Sequence, residues 1–158
     1  MTPGDVRVRL REPEDVPGLA ATLLAQQPGT RYPFRDPLPV PVEDFLHASD
    51  AVRAWTAELA GRPVGHVCHV GPARGFAAAD VLDELCARAH GCEVGRLAWL
   101  SALFVAPEAR GVGLGRRRLA AVVDDAVRCG LRPDWLREAA GEEGADVQVM
   151  VRTVPDPA

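Results

Sequence analysis

The sequence predicts an α/β fold in which strands and helices alternate around one central sheet, and three observations carry that prediction. Leu97–Val105 (LAWLSALFV) is an uncharged run of strand length, as a strand covered on both faces requires, and Pro107 ends it. Leu119, Val122, Val123, Ala126 and Val127 recur at i, i+3, i+4, i+7 and i+8, one face of an amphipathic helix. Upstream, strictly alternating Val6–Leu10 leads into helix-start signals, and two strand-like runs flank a turn signal.

Taken in order, Val6–Leu10 is a half-buried edge strand. Arg11-Glu12-Pro13-Glu14-Asp15 opens a helix, with Pro13 at the first helical position and Glu14 and Asp15 at its positive end. Leu19, Leu23 and Leu24 form its inner face, and it ends near Gln27, before Pro28-Gly29. Thr30–Val42 carries Pro33, Pro37, Pro39 and Pro41 and reads as an extended loop. On it, Tyr32 and Phe34 either pin the loop to the core or, with Arg31 and Arg35, shape a substrate pocket. Val42–His47 is a short helix.

Ala54–Leu59 and Val64–Val70 are strands joined at Ala60-Gly61-Arg62-Pro63. In the second, Val64, His66, Cys68 and Val70 share one face, and Gly65, Val67 and His69 the other. Cys68 and His69 therefore cannot chelate together, so no metal site is expected. Ala77–His90 is a helix with Val81, Leu82, Leu85, Cys86 and Ala89 on one side and Asp80, Glu84 and Arg88 on the wet side; it forms a lid, a side wall or structural cover. The uncharged strand follows, then a helix from about Gly113 to Cys129, stopped by Gly130. Leu131–Glu138 and a charged, glycine-bearing stretch reaching Asp146 lead to a last strand, Val147–Val151.

Composition narrows the function. A chain of 158 residues suggests one domain, 1–158; 47% hydrophobic and 25% charged residues are ordinary for a protein with a real core. A net charge of −4 disfavours bulk nucleic-acid binding. Cys68, Cys86, Cys92 and Cys129 form no Cys-x-x-Cys pair and read as free thiols in a reducing compartment. Met1–Leu10 has no signal-peptide core, and no apolar run reaches the ~18–20 residues of a membrane span, so the cytoplasm is expected.

The junction between the uncharged strand and the following helix breaks several local rules together. Arg116, Arg117 and Arg118 crowd the first turn, with Arg110 just upstream, whereas the helix dipole favours anions there. First-turn N–H groups need acceptors, and Gly111, Gly113 and Gly115 let a ligand approach the backbone. Together these describe a nest for a phosphate or diphosphate; a solvated basic turn is the plainer reading. A Walker loop would need a lysine the stretch lacks. A dinucleotide fingerprint would need glycine where Arg116 or Arg118 stands.

What does fit is R-x-x-G-x-G, here Arg110-Gly111-Val112-Gly113-Leu114-Gly115, after Leu103-Phe104-Val105-Ala106-Pro107. This resembles the acetyl-coenzyme-A loop of the GNAT acyltransferase superfamily, most clearly over residues 97–130. The resemblance implies a GNAT-like mixed, mostly antiparallel central sheet flanked by helices. It implies acetyl-CoA as co-substrate, no metal, and a small-molecule or peptide amine as acceptor, with a homodimer compatible and neither nucleic acid nor membrane as partner. Leu103, Phe104, Val105, Arg110, Gly111, Val112, Gly113, Leu114, Gly115 and Arg116 are the coenzyme-binding residues it marks.

The same resemblance exposes departures. The glutamate often found early in the strand before the loop is Trp99 by register. The asparagine-led motif and the tyrosine that protonates the departing thiolate are missing, and Tyr32 lies far upstream. The chain passes from the loop helix straight to a last hairpin, without the usual C-terminal strand–helix unit. The catalytic groups are therefore unknown, with Ser101, His66 and His69 as weak candidates. A catalytically impaired acyl-CoA-binding domain and an unrelated phosphate-ligand module are the competing readings.

Overall fold

The computed structural model describes residues 6–30, 38, 40–47, 51–72, 78–111, 113–141 and 144–151. The strands are β1 (Val6–Leu10), β2 (Ala51–Leu59), β3 (Arg62–Val70), β4 (Leu97–Val105), β5 (Arg132–Gly141) and β6 (Gly144–Val151). The helices are α1 (Val16–Thr30), α2 (Val42–His47), α3 (Ala79–His90) and α4 (Leu114–Arg128). The six strands form one sheet in chain order. Every neighbouring pair is antiparallel except β4 and β5, which run parallel. This is the mixed, mostly antiparallel sheet expected. Tyr32, Phe34 and Val112 lie outside the described residues. Among the described residues, no helix is long and apolar enough to cross a membrane.

Strand alternation sends successive side chains to opposite faces and so builds two cores. On one face, Leu19 and Leu23 of α1 and Leu46 of α2 pack on Ala54, Cys68, Ala102 and Phe104. On the other, Val122 of α4 packs on Trp55, Val67 and Leu100. Leu19, Leu23, Leu46 and Val122 have no accessible surface, and each such side chain is worth about 2 kcal/mol.

Several boundaries depart from the sequence reading. A 3-10 turn at Pro13–Asp15 precedes α1, and α1 runs through Pro28 to Thr30. Pro28 is tolerated because it sits in the last turn, where the N–H it lacks removes only one terminal bond. Leu24 is exposed; Val16 and Ala20 take its place on the inner face. The β2–β3 turn is only Ala60-Gly61, both with positive φ (51° and 76°), the backbone of a two-residue hairpin turn, so Arg62 and Pro63 belong to β3.

Helix α3 buries Ala79, Asp83, Cys86 and Ala87 and exposes Val81 and Leu85. The expected apolar side is therefore rotated. The helix packs by small residues on Leu97 and Trp99, and Asp83 turns inward because the indole N–H of Trp99 donates to its Oδ1 at 2.7 Å. Asp83→Ala strands that buried donor and should cost about 2 kcal/mol, read as a lower urea midpoint at unchanged slope.

The largest departure lies at the C-terminal end. Residues 132–141, given no element in the sequence reading, form β5, and β6 begins at Gly144 rather than Val147. Only residues 142–143 separate the two strands, so the hairpin does follow the loop helix directly and no helix intervenes.

Candidate active site

The sheet opens at β4. β5 pairs with it only from Leu97 to Leu100, although β4 continues to Val105. From Ser101 onward the β5-side edge of β4 has no strand partner among the described residues, and a wedge opens between the two parallel strands. A bulge helps to bend β4 away: between His66/Phe104 and Cys68/Ser101, β4 uses one more residue than β3. Ala102 takes a left-handed φ of 49° there, an uncommon conformation for a residue with a side chain.

His66 holds this bulge. Its Nδ1 lies 2.9 Å from the Ala102 carbonyl and its Nε2 3.1 Å from an Arg11 guanidinium nitrogen. Arginine only donates, so Nε2 accepts and Nδ1 carries the proton that Ala102 receives. The same Arg11 nitrogen donates to the carbonyl of Leu46. His66 thus links the bulge to α2 and the end of β1.

His69, on the opposite face, sits 3.2 Å from Asp125 of α4, and its ring tilts against Trp55 at 5.7 Å. Asp125 also accepts from Arg53 at 2.7 Å and Arg128 at 3.1 Å, clamping the far half of α4 to the sheet. Both histidines are fully buried. They are hydrogen-bonded sheet residues. Ser101 is half-buried beside the bulge. Trp99 is buried and engaged with Asp83, so the position of the expected glutamate offers no acid to the wedge.

Backbone direction at the end of β4 follows from one bond: Ala106 N–H donates to Val64 O at 2.8 Å. Residues 106 and 64 are therefore a hydrogen-bonded pair. Val105, opposite Gly65, is a non-hydrogen-bonded one whose N–H and C=O face away from β3. Phe104 faces β3 with its backbone and the α1 core with its side chain. Leu103 is partly exposed at the bulge.

After a short turn at Pro107–Ala109 come Gly111 (φ 82°) and Gly113 (φ 78°), the residue that caps α4. Arg117 N–H makes the first bond of the helix, to Gly113 O, so the N–H groups of Leu114, Gly115 and Arg116 precede the intrahelical ladder. No side chain caps this end. Leu114 is buried against Ala109, Ala106 and Val64 and fixes where the helix begins. Open amides and the positive end of a helix dipole are the groups that favour an anion.

The Arg110 guanidinium is engaged toward β4 and α1. Its Nε donates to Val105 O and its Nη2 to Gln26 Oε1 of α1, both at 3.1 Å. A cavity of about 310 Å³ lies alongside, lined by Thr22, Gln26, Arg62, Ala106, Pro107 and Glu108 among others. Gln26 was invisible as a site residue, because its partner is 84 positions away in the chain.

A splayed mixed sheet, a bulged strand at the fork and a glycine-capped helix amino end beside it define a class: mixed α/β proteins with an open strand-to-helix corner. The chain belongs to the GNAT family of acetyltransferases, whose family description, Acetyltransferase (GNAT) family, matches residues 19–145. Solved structures share the fold. The Salmonella typhimurium protein yncA, solved with its cofactor acetyl-CoA, superposes with a TM-score of 0.66 at 17% identity over 98% of this chain and 96% of that one. A GNAT family acetyltransferase from Brucella melitensis in complex with acetyl-CoA gives 0.61 at 16% identity over 96% and 91%. A ribosomal-protein-alanine N-acetyltransferase from the same organism gives 0.63 at 19% identity over 95% and 99%. No match was found among the curated proteins.

Proposed function

We propose that the protein is an acetyl-CoA-dependent N-acetyltransferase acting on an amine. The observation that carries this reading is the corner itself: β4 freed from β5 after Leu100, with an uncapped helix amino end immediately beyond it. The residues present fit a diphosphate-bearing coenzyme. The amides of Leu114, Gly115 and Arg116 would receive the diphosphate, and Gly111 and Gly113, which take positive φ and carry no side chain, leave its approach open. When bound, the coenzyme supplies an acetyl group activated as a thioester. The Val105 N–H, turned into the wedge, is placed to donate to a carbonyl oxygen there.

The acceptor amine, a small molecule or a peptide, must lose a proton. His66 and His69 are buried, so a water relay at the wedge or another group takes it, and Ser101, half-buried beside the bulge, is a polar side chain that could hold such a water. The same reading takes residues 1–158 as one domain working in the cytoplasm, alone or as a homodimer. A second reading, a catalytically impaired acyl-CoA-binding domain, is favoured by one observation: Trp99, tied to Asp83, stands where an acid would serve.

Thermal denaturation with acetyl-CoA, ATP and NAD tests the first step. Saturation at a hundredfold over Kd should add about 2.7 kcal/mol, a rise of roughly 5–10 °C in Tm for a chain of this size, with acetyl-CoA alone. No rise with acetyl-CoA discards both readings. Thiol release across a panel of amines then separates them, since binding without turnover on any amine marks the impaired domain.

A further inference from the structure

We propose that Gln26 is a positioning residue for the coenzyme turn. Its amide oxygen fixes the guanidinium of Arg110, and through Arg110 it sets the Val105 carbonyl and the entry to α4. The inference rests on the coenzyme site proposed above and assigns that site a support from α1.

Gln26 lies in the penultimate turn of α1 and is only 4% exposed. Arg110 can only donate, so the atom it meets at 3.1 Å must be Oε1, which fixes the orientation of the amide. Nε2 is then buried with no hydrogen-bond partner among the described residues. An orphaned donor is unfavourable, and a leucine or methionine of similar volume would avoid it. A glutamine retained there at a penalty to stability is accounted for by what its other end does.

That other end meets a guanidinium spanning two elements. Arg110 Nε bonds the Val105 carbonyl, the last polar group of β4 that faces away from β3. Arg110 is followed at once by Gly111, whose positive φ turns the chain toward Gly113 and the open amides. Without Gln26, the exposed guanidinium has water as its alternative partner and can leave Val105. The turn then loses its only described tie to α1, and the amides at the start of α4 are less well pre-organised for a diphosphate. The effect should fall on coenzyme affinity and leave the fold intact.

Gln26→Leu separates this role from a merely structural one, because the two predict opposite changes in stability. The proposal expects the Kd of acetyl-CoA by calorimetry to rise about tenfold, the equivalent of one hydrogen bond to a charged group, with Tm unchanged or raised as the orphan disappears. Gln26→Glu, whose carboxylate can still accept from Arg110, should return Kd to within about threefold of the parent. In an Arg110→Met background, Gln26→Leu should add nothing further. A Gln26→Leu protein that binds as tightly as its parent, or one whose Tm falls by several degrees, overturns the proposal while acetyl-CoA binding by the parent upholds the site. Absence of binding by the parent itself overturns the site and the proposal with it.

Discussion

Gly113→Asp should reduce acetyl-CoA affinity at least about a hundredfold and leave the protein folded, measured by calorimetry alongside a thermal melt. Two physical effects act in the same direction. Gly113 caps α4, and the amides of Leu114, Gly115 and Arg116 lie directly beyond it without intrahelical acceptors. An aspartate at a cap position is itself a good acceptor for such groups, so the variant carries its own anion into the place the diphosphate needs. Any diphosphate that still approaches meets a like charge. At about 5 Å and an effective dielectric near 20, one such pair costs roughly 3 kcal/mol, or more than a hundredfold in affinity.

The fold should tolerate the change. A Cβ at Gly113 meets nothing within 4 Å, so the only strain is that of the left-handed backbone (φ 78°), which aspartate accepts better than most residues. Capping offsets that strain. Gly113→Ala isolates it: the alanine has the strain without the charge, and its affinity should fall by far less. If the aspartate variant binds acetyl-CoA like the parent, the coenzyme does not use this helix end.

How much of this could be read from the chain varies with how local the physics is. The β4–turn–α4 unit was legible because each part has its own signature: an uncharged run, a proline stop, glycines, then a 3.6-residue period. The structure places it at Leu97–Val105 and Leu114–Arg128. Strand β5 was not legible. Arg132-Pro133-Asp134 opens it with residues that disfavour strands, and its register with Leu97–Leu100 comes from tertiary contact rather than local preference. Helix α3 was recognised but turned the wrong way, since counting Val81 and Leu85 as inward overlooks the pull of the Trp99 indole on Asp83. The two histidines were legible as polar sheet residues but their partners were not: one bonds the bulge at Ala102 and one meets Asp125. Gln26 and its guanidinium partner meet across the fold, and nothing in either neighbourhood announces the other.

Asp15 shows the same limit and carries the largest expected effect on stability. In the sequence it reads as a charge placed to suit the start of a helix. In the structure it is 6% exposed and receives both terminal nitrogens of Arg9 at 2.7 Å, the Glu12 N–H at 2.8 Å and the Thr56 hydroxyl at 2.9 Å. It ties β1, the 3-10 turn before α1, and β2 together; Glu58 takes the remaining side of Arg9. Hydrogen bonds from Arg9 first, then from Glu12 and Thr56, lower its pKa from the usual 3.8 to about 2 against the opposing effect of burial. Arg9 is correspondingly shifted upward. Because the folded pKa lies below the unfolded one, the stabilisation is full above about pH 5 and is lost as pH falls through 4 toward 2; a shift of this size corresponds to about 2.5 kcal/mol. Asp15→Ala leaves Arg9 with Glu58 and the more distant Glu12 carboxylate, at 4.0 Å, and the Thr56 hydroxyl without its acceptor, so at pH 7 it should cost about 3–4 kcal/mol in urea unfolding. The parent should lose stability between pH 5 and 2 more steeply than the variant, and the gap between their urea midpoints should narrow as Asp15 is protonated. A gap that stays constant across that range would mean that the Asp15 carboxylate charge adds nothing to the fold and that only its shape matters.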